Sequence, residues 1–274
     1  MSLTKSLHQR WLSVLFMLCF SVQVSAELLF YSENYPPFNF KENHQPRGIS
    51  VELLDLIFKD IDAPYSIRNI QMVPWPRGYE RVQRQADSVL FSTFRTPARE
   101  AMFKWVGPIA TTQNVLIGKA SERFPLTDTA QLQGYRVGVI RNDIGGLLLE
   151  EMNVSGLTII TLSDPDTAAK MLDLGRIDLW AYDLNVANSI QNRLGLRSDL
   201  YQVVLPLGEP GELYFAFNPA TDDQIVNTYQ LSLERVKQKH NMQGQNLFQQ
   251  ILQRYHYQSP APLPEVKAQG ISGE

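Results

Sequence analysis

The 274 residues are 44% hydrophobic and 19% charged, the balance of a chain that folds around a core, which excludes a disordered or low-complexity protein. A formal net charge of −3 with no basic block speaks against a nucleic-acid partner. The one cysteine, Cys19, excludes an intrachain disulfide and a cysteine metal cluster.

In chain order, Lys5 and Arg10 flank the start of an apolar run, Trp11 to Phe20, that only Ser13 interrupts, and Val24-Ser25-Ala26 offers small residues for cleavage. Residues 1–26 are therefore expected to be a cleaved signal peptide that sends the chain to the periplasm. The run is shorter than the roughly 20 apolar residues of a spanning helix, so a retained anchor is the weaker alternative. The mature chain would then contain no cysteine.

Leu28 to Tyr31 reads as a strand leading into Asn34-Tyr35-Pro36-Pro37-Phe38. From Ile49 to Ile61, the apolar residues Leu53, Leu54, Ile57, Phe58 and Ile61 fall on one helical face. Pro76 opens a second helix bearing Tyr79 and Val82, and Ser88 to Ser92 is a strand, so the first half is a β-α-β-α-β run. A similar run begins near Tyr135. Its strands are Tyr135–Ile140, Leu157–Leu162 and Ile177–Tyr182. Its helices are Ile144–Met152, entered through Asp143; one capped by Asp164-Pro165 and ended by Gly175; and Leu184–Arg193. Leu213 to Phe217 is a further strand, followed by two amphipathic helices carrying Ile225 to Val236 and Leu247 to Leu252. The tail, 257–274, is rich in Pro, Gly and polar residues and reads as flexible.

Alternating strands and helices predict an α/β fold. The returning strand and helices predict two lobes, 27–110 plus 213–256 and 111–212, joined by crossings near Ala110–Leu116 and Val203–Glu212. A cleft between such lobes is where a small ligand binds.

Catalytic signatures are missing: there is no Gly-x-Ser-x-Gly, phosphate-binding loop, His-Glu-x-x-His or Gly-x-Gly-x-x-Gly. His44, His240 and His256 lie on polar loops or helix ends, so no metal site is expected, and no cofactor. What the chain offers instead are polar and aromatic residues at the C-terminal ends of strands, the edge where open α/β sheets bind ligands. Tyr35 follows the first strand, Trp75 precedes a helix, Ser92 to Arg99 follows the third strand, and Asp183 follows the strand ending at Tyr182. From spacing alone each has a plain alternative: Arg99 paired with Glu100 or Asp87, Asp183 as a helix cap, Tyr35 and Trp75 as core aromatics.

Tyr35-Pro36-Pro37-Phe38 with Gly48-Ile49-Ser50-Val51-Glu52-Leu53 resembles the opening of family 3 extracellular solute-binding proteins, the polar amino-acid type that serves ABC importers. Asp87 to Glu100, Trp105-Val106-Gly107-Pro108, Gly134 to Ile140 and Gly175 to Asp183 are similar to that family's later landmarks, in order. The resemblance implies a type II two-lobe periplasmic-binding-protein fold with two crossover hinge segments and no catalysis. Implied partners are a small-molecule ligand and an ABC permease or membrane receptor, with the chain acting as a monomer. It further implies that Arg99 forks onto a ligand carboxylate, a contact worth about 1.5–3 kcal/mol. Ser92 and backbone near Phe94 would complete that pocket, Asp183 would take an ammonium from the opposite lobe, and Tyr35 and Trp75 would flank the ligand's body.

The chain departs from the family's pattern in three places. Phe94 stands where a hydroxyl is frequent, Arg95 brings a second positive charge near the site, and Asp143 occupies a helix N-terminus where it would satisfy that helix's own N–H groups. Arg77 and Arg141 could also face the cleft. The enzyme-class alternative is a cyclohexadienyl-type dehydratase, with Asp143 or Asp183 as general acid; the other is a sensor protein docking on a receptor.

Overall fold

The computed structural model describes residues 27–126 and 129–260. The expected signal segment with Cys19, and the part of the expected tail from 261 onward, lie outside the described residues.

The first run forms β1 (Leu29–Ser32), a hairpin of β2 (Phe40–Glu42) and β3 (Gln45–Arg47), α1 (Ile49–Asp60), β4 (Ile70–Met72), α2 (Trp75–Arg84) and β5 (Ser88–Phe94), with β6 (Lys104–Thr112) after a short 3-10 turn. The second comprises β7 (Asn114–Lys119), β8 (Arg136–Ile140), α3 (Ile144–Glu151), β9 (Thr158–Leu162), α4 (Pro165–Asp173), β10 (Leu179–Asp183), α5 (Leu184–Arg193) and β11 (Tyr201–Pro206). The chain then returns through β12 (Gly211–Phe217) to α6 (Asp223–Gln238) and α7 (Leu247–Arg254).

Two five-stranded mixed sheets result, ordered β4-β1-β5-β12-β6 and β11-β7-β10-β8-β9. In the first, β1 runs parallel to β4 and β5 while β12 is antiparallel to β5 and β6. In the second, β8 is parallel to β9 and β10, and β7 is antiparallel to β10 and β11. The apolar stripe read from the sequence is the one α1 buries: Leu53, Leu54, Ile57 and Phe58 are all inside. Each such side chain contributes about 1.5–3 kcal/mol relative to exposure. Asp164 caps α4 by accepting from the Thr167 N–H at 2.9 Å, and Gly175 ends the segment with φ +64°. Among the described residues no helix is long and apolar enough to cross a membrane.

The crossings are narrower than the sequence suggests. The expected connections over 110–116 and 203–212 are mostly strand, because β6, β7, β11 and β12 run almost up to the crossing points. Only Gln113 separates β6 from β7, and only residues 207–210 separate β11 from β12. The buried Gln113 amide donates to the carbonyls of Asn114 at 2.8 Å and Gly208 at 3.1 Å, so one side chain joins the two crossings. Tyr257, expected in the tail, also packs: its hydroxyl donates to the Thr111 carbonyl and its ring meets Phe38 edge-on at 5.6 Å.

Candidate functional site

The C-terminal ends of β1, β5, β8 and β10 meet between the two sheets, and the elements there bring together most of the residues expected from the sequence. The ring of Tyr35 stands edge-on to Tyr182 at 5.9 Å, which joins the aromatic cores of the two halves. Arg99, 1% exposed, is the main polar link. Its Nη1 donates to the Phe94 carbonyl at 3.0 Å in its own half, and its Nη2 to the Asn142 carbonyl at 2.8 Å in the other. Its Nε is buried without a partner. The guanidinium carbon lies 5.8 Å from the Trp75 ring and 5.2 Å from the Tyr79 ring, so two indole and phenol faces cover the charge.

Ser92 shows how the backbone aims a side chain. In β5, Thr93 pairs with Tyr214 and Phe91 with Phe215, leaving Ser92 as the extra residue of a bulge, at φ +60°. The twist turns its hydroxyl toward Asn39 Oδ1, which accepts its proton, and toward Ser50, whose hydroxyl lies 2.7 Å away and donates. Asn39 passes the chain on through Nδ2 to the Glu33 carbonyl at 2.9 Å. The single Ser92 proton is therefore spent inside this network, not presented to a ligand. Phe94 contributes its carbonyl to Arg99, and its ring packs against Gly211, where a Cβ would lie 1.9 Å from it.

Asp183 ends β10 fully buried. Oδ1 accepts from the Val186 N–H at 2.8 Å and caps α5, so the helix-cap expectation holds for one oxygen; Oδ2 has no partner. Burial pushes its carboxyl up to about 7. Asp143, half-buried ahead of α3, meets its expected part in one bond: its carboxylate accepts from the Ile144 N–H at the head of that helix but makes no side-chain cap to the next turn. Burial raises its pKa, against the pull of Arg99.

Two expectations change. Arg95 does not add charge to the site: it forks onto Glu100 at 2.6 and 2.8 Å and lies over Trp105 and Tyr214 on the exterior. That pairing also removes Glu100 as the partner of Arg99. Arg77 and Arg141 are exposed. Trp180 and Tyr182 are both buried and stacked at 4.8 Å.

Glu33 was not anticipated. It directly follows β1, half-buried, and its pKa is raised well above the ordinary carboxylate value by burial and then by the charge of Asp143. The strand-end rule that selects Tyr35 selects Glu33 equally. The phenols of Tyr35 and Tyr182 are held neutral, first by burial and then by the charges of Glu33, Asp143 and Asp183. Glu33, Lys41 and Trp75 also line an open cavity of about 300 Å³, to which the other half contributes Asp164, Pro165 and Asp166. A second cavity, about 630 Å³, lies on the other side of the Arg99–Asn142 link. Among the described residues no group of His, Cys, Asp and Glu could hold a metal ion.

Known structures share this architecture. A histidine kinase sensor domain with similarity to periplasmic binding proteins superposes with a TM-score of 0.71 at 16% identity, covering 84% of this chain and 96% of that one. The arginine-, lysine-, histidine-binding protein ArtJ from Geobacillus stearothermophilus gives 0.68 at 16%, covering 85% and 97%. A substrate-binding protein of an ABC uptake transporter from Streptococcus pneumoniae, with bound histidine, gives 0.69 at 17%, covering 83% and 91%. At these identities the likeness is one of fold. No curated protein sequence matches the chain significantly. The sequence model of the bacterial extracellular solute-binding proteins, family 3, matches residues 29–256, and the chain belongs to that family.

Proposed function

We propose that this protein captures a small α-amino acid between its two halves, outside the cytoplasmic membrane, and presents it to a membrane permease or receptor. One observation carries the reading. The Nε–H of Arg99 and the Oδ2 of Asp183 are a buried donor and a buried acceptor without partners, one from each half, and both charges act on the buried Tyr35 phenol. A carboxylate on Arg99 and an ammonium on Asp183 would satisfy both, and a buried polar atom left unmade costs about 1–3 kcal/mol. A ligand carrying both groups therefore favours the closed arrangement over the open one. The family and the amino-acid-binding structures of the same fold agree with it.

The test is a thermal-shift screen of the purified mature chain against the common amino acids and simple carboxylates. A ligand at 100 times its Kd raises stability by about 2.7 kcal/mol. Arg99→Ala should weaken a bound amino acid by about 1.5–3 kcal/mol, and Asp183→Asn by a similar amount. Binding that survives both substitutions would overturn the reading.

A dehydratase is the second reading, because a cleft carboxyl at about 7 is also what a general acid requires. Turnover of prephenate or arogenate by the wild type, lost in Asp183→Asn, would select it.

A further inference from the structure

Resting on the amino-acid reading above, we propose that Asn114 is the positioning residue of the ammonium site: its side-chain amide donates to Oδ2 of the ionised Asp183 and fixes that oxygen where a ligand's ammonium meets it. The register of the second sheet puts the two side chains together. β7 and β10 are antiparallel, and Asn114, the first residue of β7, stands directly opposite Asp183, the last residue of β10. Residues so paired point to the same face of a sheet. Just beyond them, the Leu184 N–H donates to the Gln113 carbonyl at 3.2 Å, while the Asn114 carbonyl turns away from β10 and accepts from the Leu207 N–H at 2.9 Å. Hydrogen-bonded and non-hydrogen-bonded pairs alternate along an antiparallel ladder. Asn114 and Asp183 are therefore a non-hydrogen-bonded pair, the kind whose side chains lie closer.

What the two side chains carry is complementary. Asn114 is 1% exposed, and neither its Nδ2 nor its Oδ1 has a partner among the described residues; Asp183 is wholly buried, and its Oδ2 has none either. A buried amide with both ends unmade is rare in a folded protein. Here it stands beside a carboxylate oxygen in the same condition. An amide nitrogen brings two N–H donors and a carboxylate oxygen accepts two bonds, so Oδ2 has room for the amide and an ammonium together. Being neutral, the amide favours the charged form of Asp183 without taking the place of the ligand's charge. Asn114 also has a fixed base: its carbonyl accepts from the Gln113 amide at 2.8 Å as well as from Leu207, which binds it to both crossings. The other titratable groups that act on or feel Asp183 are Asp143, ahead of α3, and the phenols of Tyr35, Tyr182 and Tyr257, with Arg99 the cation of the opposite half. From the remaining elements packed on β10, namely β8, α4 and α5, the buried side chains are apolar, apart from the Gln191 amide.

Carboxyl carbon-13 NMR of the ligand-free protein across pH tests the pair, with Asp183→Asn assigning the resonance. In the wild type the Asn114 amide protons should shift with the same midpoint as the Asp183 carboxyl, a reading that needs no other variant. Asn114→Val and Asn114→Thr both suit a strand and differ by one hydroxyl, the donor in question. Asn114→Val should raise the Asp183 midpoint by at least about one pH unit, and Asn114→Thr should take back at least about half of that rise. A merely structural role would move both alike. Isothermal titration at pH 7 and pH 9, with each common amino acid that stabilises the wild type, carries the test to binding. Asn114→Val should bind these about fivefold more weakly at pH 7 and close to normally at pH 9, where Asp183 is ionised in both proteins. A midpoint unmoved in Asn114→Val, or moved equally in the two variants, would overturn the proposal and leave the amino-acid reading in place. So would Asn114 amide protons that do not respond to the Asp183 titration. If no amino acid binds the wild type, the amino-acid reading falls and the ammonium-positioning role falls with it, whatever the NMR shows of the pair.

Discussion

Asp183 caps α5 through Oδ1, while its Oδ2 is buried without a partner; in the proposed function Oδ2 receives the ligand's ammonium. Its carboxyl is pushed from 3.8 up to about 7 by burial, so the folded, ligand-free state holds a proton that the unfolded chain has already lost. The unfolded state ionises first as pH rises from about 4, and the folded state follows near 7. The contribution of Asp183 to stability is therefore full below pH 4 and falls across that window by on the order of 4 kcal/mol, at about 1.4 kcal/mol per pH unit, while the paired carboxylates Asp60 and Asp178, held below their ordinary values, contribute in the opposite sense at more acid pH. Urea denaturation of the ligand-free protein at pH 4.5 and pH 8 should show this fall, and Asp183→Asn should lessen it and be the more stable protein at pH 8. Ligand affinity runs the other way. An ammonium needs the ionised carboxylate, so affinity for an amino acid should drop about 25-fold between pH 7.5 and pH 5.5, with proton release on binding measurable by titration in two buffers.

At the scale of elements, the site depends on how closely helix ends approach strands. Gly145, the second residue of α3, lies against β10: a Cβ there would lie 2.6 Å from the Ala181 carbonyl oxygen, a backbone atom that cannot step aside. Only glycine lets the turn bearing Asn142 and Asp143 reach Arg99 and the cleft. Gly145→Ala should cost about 1–3 kcal/mol and weaken ligand binding, since it displaces that turn. Its neighbour is the control. At Gly146 the added carbon would meet only Val139 side-chain atoms, the nearest at 3.6 Å, so Gly146→Ala should be neutral or stabilise by about 0.5–1 kcal/mol through helix propensity. Thermal denaturation of the two variants side by side checks both outcomes, and a stable Gly145→Ala would show that α3 shifts freely.

For the whole molecule, the two halves are joined by Gln113 and by residues 207–210, and their closed contact rests on the Arg99–Asn142 hydrogen bond and the Tyr35–Tyr182 edge. Against those stands Asp183, whose buried Oδ2 has no partner and whose carboxyl, pushed up to about 7, is ionised at pH 8. At pH 8 the ligand-free protein should therefore open, and small-angle scattering should show its radius of gyration fall when a tight ligand is added. A radius that does not change under saturating ligand would remove the closure model. The residue order settled much of this molecule. The stripe of Leu53, Leu54 and Ile57 sets α1, Asp164-Pro165 starts α4, and the motifs from Tyr35 to Asp183 mark the family, because periodicity, caps and turns are local physics written in neighbouring residues. The crossings escaped it, since β6, β7, β11 and β12 are defined by partners in distant parts of the chain. So did the polar pairing of the cleft: whether Arg95 or Arg99 enters, and whether the Ser92 proton is free. Those outcomes depend on which groups burial brings together and which cations remain within reach, and only the folded chain fixes those distances.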